Sequence, residues 1–260
     1  MSQKKDTVKQ TIFIALILSL VCSVIVSFAA VMLKPIQEKN KSLDRKTNIL
    51  KAAGLFQSAE NVEKIFSEKV KMKLVNLKTG QYVEGVEPED YDQYKMARDA
   101  EEGLALEADV DIAGIKNIAK KALVYEVLQN GKISLVVLPI HGKGLWSTLY
   151  GFMAVQADSN TIQGLGFYEH GETPGLGGEV DNPRWKAQWK GKKLHDKKGV
   201  LKIEVIKGVV DTKRAGAIHQ VDGLSGATIT ARGVSHLVRF WLGEQGFAKY
   251  LQLLKRKQGA

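Results

Sequence analysis

Apolar residues fill one unbroken stretch near the start of the chain. From Ile12 to Leu33 there are 22 residues without a charged side chain, about 33 Å of helix, which matches the hydrocarbon thickness of a bilayer. The stretch therefore predicts a membrane-spanning helix over 12–33. A cleaved signal peptide is the alternative, because Lys4 and Lys5 form a basic start and Ser27-Phe28-Ala29 resembles a cleavage site. The apolar run continues past that site, which favours an uncleaved anchor.

After the span the apolar positions change to helical spacing. Leu43, Ile49, Leu50 and Ala53 recur at intervals that predict a helix over 36–53, and Gly54 is a suitable residue to end it. We expect this helix to act as a stalk. The predicted organisation is a short cytoplasmic N-terminus (1–11), a transmembrane helix (12–33), a stalk helix (34–54) and a folded domain (55–260).

Alternating apolar and polar residues in the folded domain predict hairpins. The clearest has Asn130-Gly131 between two strand-like runs, a favoured pair for a tight hairpin turn. The runs 149–156 and 161–168 predict a second hairpin, and those around Leu74 and Tyr82 predict a third. A further strand is expected at 200–207, with helices near 229–242 and 245–256. Hairpins without strand–helix–strand alternation favour an α+β class with an antiparallel sheet and flanking helices.

Charge is spread unevenly along the chain. The formal net charge is +10, and residues 84–111 hold eleven acids against Lys95 and Arg98. That stretch is therefore net −9, which leaves +19 for the remainder. A basic surface suits anionic lipid or a partner protein. Nucleic acid is not expected, because no nucleic-acid-binding module is recognisable.

Small residues and hydroxyl groups cluster just before the predicted helix at 229–242. The segment is Asp222-Gly223-Leu224-Ser225-Gly226-Ala227-Thr228-Ile229-Thr230. A helix start favours an anion, and Gly226 with Ala227 would let a phosphate approach the backbone. A simple helix cap by Ser225 is the alternative. One hydroxyl suffices for a cap, whereas this segment has three, so the residues predict a phosphate site.

A glycine-rich loop at 171–178 supplies exposed backbone amides on which a flat ring could lie, although a plain surface turn has the same composition. Several other kinds of site are not indicated. Gly142-Lys143-Gly144 lacks the third glycine of a dinucleotide fingerprint, so no NADH site is expected. The single cysteine, Cys22, lies within the span, and the histidines show neither metal-ligand spacing nor a catalytic-triad order.

The order Ser-Gly-Ala-Thr-x-Thr after an aspartate resembles the flavinylation motif of the FMN-binding domain family. The resemblance extends to the span, to Lys34–Lys41, to the run from His141 through Ser147 and to the loop 172–177. Within the family these segments are similar to the C subunits of bacterial sodium-translocating NADH:quinone reductases. The resemblance implies a phosphodiester bond between FMN and Thr230, the last threonine of the motif, with Thr228 capping the first turn or bonding the phosphate. The other implied FMN-binding residues are Asp222, Ser225, Gly226, Ala227, Thr228, Gly144, Leu145, Trp146, Glu172, Thr173, Gly175 and Leu176.

The resemblance also implies a place and partners for the chain. It implies a single-pass flavoprotein subunit of a respiratory complex in the bacterial inner membrane, with its soluble domain in the periplasm. The partners are the other subunits, a separate FAD-dependent flavin transferase and membrane lipid. Three basic residues precede the span and five follow it, and that count favours a cytoplasmic domain. The count is weak, because long domains translocate largely regardless of charge.

Two further interpretations remain open at this stage. The flavin subunit of an Rnf-type ferredoxin:NAD oxidoreductase has the same motif, although the segment from Lys34 to Gly54 favours the quinone reductase. A flavin-free extracytoplasmic module that binds lipid or a partner through its basic face belongs to a different class. Covalent flavin in the denatured protein would separate these two classes.

Overall fold

The computed structural model describes residues 8–258, and the chain divides after Asp44 into two compact units. The helices are α1 (Val8–Ala53), α2 (Val62–Lys69), α3 (Gln93–Met96), α4 (Pro183–Ala187), α5 (Thr228–Leu242) and α6 (Ala248–Gln258). The strands are β1 (Val70–Asn76), β2 (Gly103–Ala105), β3 (Asn117–Ala119), β4 (Lys121–Gln129), β5 (Lys132–Lys143), β6 (Thr148–Gln156), β7 (Ile162–Glu169), β8 (Glu204–Val205) and β9 (Gln220–Val221). Short 3-10 helices occupy Ala59–Asn61, Pro88–Asp90, Gly177–Asp181 and Ala215–His219.

The first unit is the long N-terminal helix up to Asp44. Its most apolar 18-residue window has a mean hydropathy of 2.8, and none of that window is buried. The helix is therefore long and apolar enough to cross a membrane. The predicted span (12–33) and most of the predicted stalk (34–54) lie on this one helix, α1 (Val8–Ala53), which has Pro35 inside it. Residues 1–7 of the predicted N-terminus lie outside the described residues.

The second unit is built on a five-stranded antiparallel sheet in the order β1-β4-β5-β6-β7. The hairpin at Asn130-Gly131 is confirmed: it joins β4 to β5, and both residues have positive φ, as the favoured two-residue turn requires. The hairpin between β6 and β7 is also confirmed. The α+β class with flanking helices, predicted from these patterns, is the class observed.

Helix α5 packs closely on β5 because each element has a glycine at a point where a Cβ would clash with the other. A Cβ at Gly142 would lie 2.5 Å from Cβ of Leu237, and a Cβ at Gly233 would lie 2.4 Å from the carbonyl oxygen of Lys143. The indole Nε1 of Trp241 donates a hydrogen bond of 2.7 Å to the carbonyl of His141. These contacts fix the start of α5 beside the loop that follows β5.

Two parts of the domain differ from the expected hairpin pattern. The strand expected at 200–207 is only two residues long, and β8 pairs in parallel with β9. The run near Tyr82 forms a single bridge, from Val75 to Tyr82, in place of a full strand. The acidic stretch 84–111 is mostly irregular, and it includes α3 and β2.

Candidate functional site

Three segments meet at the carboxylate of Glu172. They are the loop between β5 and β6, the loop after β7 and the first turn of α5. Oε1 of Glu172 accepts from the backbone amides of Trp146 at 2.9 Å and Ser147 at 3.2 Å, and Oε2 accepts from that of Leu145 at 3.3 Å. Oε2 also accepts from the hydroxyl Oγ1 of Thr230 at 2.5 Å. One buried side chain, 5% exposed, therefore joins both predicted loops to the predicted attachment motif.

Glycine permits this close arrangement on both sides of the carboxylate. A Cβ at Gly144 would lie 2.6 Å from Oε1 of Glu172. A Cβ at Gly177 would lie 2.6 Å both from Oε2 of Glu172 and from Oγ1 of Thr230. Real Cβ atoms are not found that close to other heavy atoms, so any larger residue at these positions would displace the network.

Hydrogen bonding keeps the Glu172 carboxylate ionised. Burial raises the pKa of this group, because a charge is poorly solvated inside the protein, but the hydrogen bonds from Thr230, Trp146, Ser147 and Leu145 outweigh burial. The net effect is a pKa below the ordinary value of 4.5. Glu172 is thus an anchor of the site that accepts hydrogen bonds in its charged form.

The loop after β7 is also held by His170. The backbone amide of Glu172 donates to Nδ1 of His170 at 3.2 Å, which leaves the proton on Nε2, 2.8 Å from Oδ2 of Asp181. Oγ of Ser147 accepts from the amide of Gly171 at 2.6 Å. His170 and Ser147 were not among the predicted site residues. Their roles depend on contacts between loops, which no local spacing reveals.

The two threonines of the motif have opposite environments. Thr230 is completely buried, and its hydroxyl is occupied by Glu172. Thr228, the first residue of α5, is exposed. Residues two apart on a helix are separated by about 200° of rotation, which accounts for the difference. The Thr230 hydroxyl is thus held inside the site by Glu172 whereas Thr228 faces solvent, and attachment of the phosphate at Thr230 stays a prediction.

Positive charge surrounds the exposed threonine. Thr228 lines an open pocket of about 320 Å³ together with Arg232, His236, Arg239 and Lys207, and Glu204 is the acidic residue of the lining. Arg232 lies one helical turn after Thr228 and is exposed. A phosphate on Thr228 would therefore lie next to cationic side chains. These basic residues were not predicted as site residues, although their spacing on the predicted helix would have indicated them.

The start of α5 has no capping side chain, so Ser225 does not act as the N-cap. Gly226 has φ +70°, and a Cβ there would lie 2.9 Å from the Leu176 side chain, so glycine allows the loop carrying Leu176 to approach. Ala227 is buried beneath it. A helix begins with backbone amides that lack intrahelical partners, and these remain open to an anion here.

Asp222 has a structural role. Its Oδ1 accepts from the amide of Val210 at 2.7 Å, and its Oδ2 accepts from Nε2 of Gln188 at 3.0 Å. Its carbonyl accepts from Nε1 of Trp185 at 2.8 Å. Both carboxylate oxygens are thus used to fix the segment before the motif, and neither is directed to a phosphate.

Apolar side chains lie exposed on the segments of the site. Leu145 is 41% exposed, Trp146 70%, Leu176 44% and Ile229 56%. Thr173 and Gly175 are exposed on the same loop as Leu176, and Gly175 has φ +75°. A cluster of large exposed apolar groups beside a polar network is typical of a ligand or partner site. The segments that meet at Glu172 therefore offer apolar surface on which a flat ring could lie, beside the start of α5.

Comparisons with known proteins agree with this geometry. Residues 144–243 match the model of the FMN-binding domain family, from the loop after β5 to the end of α5. Over 255 residues the chain is 48% identical to the C subunit of the Na(+)-translocating NADH-quinone reductase of Pseudomonas aeruginosa, covering 97% of this chain and 98% of that protein. The chain belongs to the family of these C subunits. The corresponding protein of Vibrio alginolyticus is 45% identical over 251 residues and 96% of both chains.

Solved structures of the family have the same fold. The crystal structure of Shewanella oneidensis NqrC superposes with a TM-score of 0.75 at 43% identity, covering 85% of this chain and 99% of that one. The family member from Parabacteroides distasonis gives a TM-score of 0.66 at 30% identity over 84% and 96% of the two chains. Membership of a family of membrane-complex subunits, together with α1, supports membrane anchoring.

Proposed function

We propose that this chain is the membrane-anchored flavin subunit of a sodium-translocating NADH:quinone reductase, carrying electrons through a covalently held FMN. The observation that carries the proposal is that Thr230 of the motif meets both predicted loops at Glu172, within the part of the chain that matches the FMN-binding domain family. The named relatives are quinone reductase subunits, which favours this function over that of an Rnf-type complex.

We further propose that the phosphate ester is on Thr230, the last threonine of the motif. Its Oγ1 donates to Glu172 and lies against Gly177, on the loop that also carries Leu176. Thr228 lies on the other face of α5, in a pocket that none of these loop residues lines. Attachment at Thr230 would replace the hydrogen bond to Glu172 and open the packing against Gly177. The Thr230 hydroxyl would lose its proton and form a bond to phosphorus of the FMN half of FAD, releasing AMP, in a reaction of the separate flavin transferase.

The residues of the chain have distinct tasks in this proposal. The bound isoalloxazine supplies one- and two-electron chemistry, and the protein holds it in place. Leu176 and Trp146 offer apolar surface to the ring, and the amides of Thr173 and Gly175 lie on the loop beside it. Glu172 fixes both loops against α5. A covalent link through the phosphate prevents loss of the cofactor in a compartment without an FMN supply.

The location and partners extend the proposal. The anchor is residues 12–33, held in the inner membrane of a bacterium, the stalk is 34–54, and the flavin domain, 55–260, faces the periplasm. The partners are the remaining subunits, the flavin transferase and lipid. An alkaline-phosphatase fusion after Ala260 should be active in cells, and an inactive but stably made fusion would oppose this orientation. The chain alone should not oxidise NADH, since it has no nucleotide fingerprint.

The proposal is tested by the mass of the full chain made with and without a flavin transferase. We expect a mass increase equal to one FMN attached with loss of water, only when the transferase is present. Peptide mapping should place that mass on Thr230. An unmodified chain in the presence of an active transferase would contradict the function, and a modified Thr228 would contradict only the assignment of the threonine.

A further inference from the structure

A second basic pocket lies outside the candidate flavin site and shares no lining residue with it. It has a volume of about 410 Å³. Three segments form its walls: the turn between β6 and β7, the turn 195–199 and one face of α6. A pocket of this size admits a small organic ion or a head group.

Positive charge dominates the lining. Lys197, Lys198 and Lys255 line the pocket, and Asp196 is the acidic residue among the lining. Oδ1 of Asp196 already accepts from the amides of Lys198 at 2.8 Å and Val200 at 3.0 Å. The carboxylate is thus used to shape its own turn, and the three ammonium groups leave the pocket with a net positive charge.

Ser159 is the most unusual residue of the pocket. It is 6% exposed, and its Oγ has no hydrogen-bond partner among the residues that the structure describes. Its φ is +57°, a left-handed conformation that a residue with a side chain adopts only at some cost in free energy. A buried hydroxyl without a partner is also unfavourable. The left-handed backbone and the unpartnered hydroxyl of Ser159 both cost free energy, and together they indicate a ligand that accepts a hydrogen bond from this hydroxyl.

Two walls of the pocket are joined by hydrogen bonds that backbone amides donate to Asn160. Oδ1 of Asn160 accepts from the amide of His195 at 2.7 Å, and the carbonyl of Asn160 accepts from the amide of Leu194 at 2.9 Å. The two turns that carry Ser159 and Lys197 are therefore fixed to each other. Such a preformed pocket binds without a large ordering cost.

We propose that this pocket binds a phosphate-type oxyanion, either a free phosphate ester or the head group of an anionic phospholipid. Three ammonium groups and an unused hydroxyl donor form a set that matches the negative oxygens of a phosphate. The pocket is too large for a monatomic anion to fill.

The imidazole of His195 lines the pocket and can report on binding. Burial lowers its pKa most, and the charges of Lys255 and His219 lower it further, while the charge of Asp196 raises it. A bound phosphate would raise that pKa.

The test uses the full-length, flavin-loaded chain in detergent micelles. One arm titrates glycerol phosphate and follows the ring signals of His195 by NMR, and the other adds phosphatidylglycerol to the micelles. We expect saturable binding in at least one arm, and the responding arm identifies the source. The pKa of His195 should rise when the pocket is filled, and binding should weaken with salt.

Matched variants locate the binding. Lys198→Gln with Lys255→Gln should weaken it by about tenfold or more, whereas Lys71→Gln with Lys213→Gln removes the same charge at exposed positions elsewhere and should leave it unchanged. Ser159→Gly relieves the left-handed backbone while removing the hydroxyl, so it should weaken binding without loss of stability. Absence of saturable binding in both arms, or equal weakening by the two lysine pairs, would overturn the proposal.

Discussion

The first turn of α5 has two faces that differ in what they can do. On the exposed face Thr228 borders a basic pocket, and on the buried face Thr230 donates to Glu172 inside a closed network. The residue type is the same and the positions are two apart. The comparison shows that the face on which a hydroxyl lies sets its surroundings: one borders solvent and basic side chains, and the other lies among the loops that form the site.

Removal of the buried hydroxyl should have the largest effect on this comparison. We expect Thr230→Ala to abolish the flavin that remains with the chain as a fluorescent band in denaturing electrophoresis, because the group that forms the ester is lost. Thr230→Ser, which keeps the hydroxyl, should retain some of the band. Thr228→Ala is the control and should leave the adduct on Thr230. A band that survives in Thr230→Ala but not in Thr228→Ala would reverse the assignment of the two faces.

Neutralising the anchor should destabilise the buried face. In Glu172→Gln the charged acceptor becomes an amide, one end of which donates, so it cannot satisfy the same four donors. We expect the free energy of unfolding to fall by about 1–3 kcal/mol. Denaturant unfolding of the full chain in detergent measures this. Glu169→Gln, a nearby exposed position at the end of β7, should change little.

Substitutions at two glycines of one loop distinguish the effect of close packing on stability from the effect of backbone conformation. Gly177→Ala places a methyl group 2.6 Å from Glu172 and Thr230 and should cost about 1–3 kcal/mol of stability. Gly175→Ala has nothing within 4 Å but requires φ +75°, so its cost should be nearer about 1 kcal/mol. Equal losses in the two variants would indicate that the network around Glu172 has more room than its distances suggest.

Acid should weaken the buried face gradually. Since the pKa of Glu172 is lower in the folded protein than the ordinary value of 4.5, its contribution is fully present above that value and is lost as the pH falls through the folded pKa. The stability difference between the wild-type chain and Glu172→Gln should therefore begin to shrink as the pH falls below about 5, and it should shrink further as the pH falls through the folded pKa. A difference that stays constant over this fall in pH would contradict the ionised anchor.

Much of the fold followed from short patterns. The Asn130-Gly131 turn, the strand alternation of β6 and β7 and the apolar spacing of α5 are local signals, and each confirmed element lies within a few residues of its prediction. Strand β8 lies within the strand predicted at 200–207, but its parallel partner β9 was missed, because a two-residue strand has no periodicity. The resemblance implied Asp222 as an FMN-binding residue, and the sequence did not reveal its hydrogen-bond partners Val210 and Gln188, because they are distant along the chain.

The segments of the candidate site could be predicted from the sequence, but their arrangement in space could not. The motif and both loops were identified, and the structure brings them together at Glu172. Which threonine is accessible depends on where α5 begins and on how it is rotated against β5. That rotation is fixed by Gly142 and Gly233 against Leu237 and Lys143, long-range contacts that a linear motif does not encode.

The hydrogen bond between Glu172 and Thr230 also has a consequence for timing. It joins residues 58 positions apart, and such contacts form late, after the intervening chain has been ordered. Before then neither hydroxyl of the motif is held by Glu172. Once β5, β7 and α5 have come together, attachment at Thr230 requires this contact to open first. The contact therefore divides the life of the chain into an early period, in which Thr230 is freely accessible to a modifying enzyme, and a later one, in which access depends on local opening.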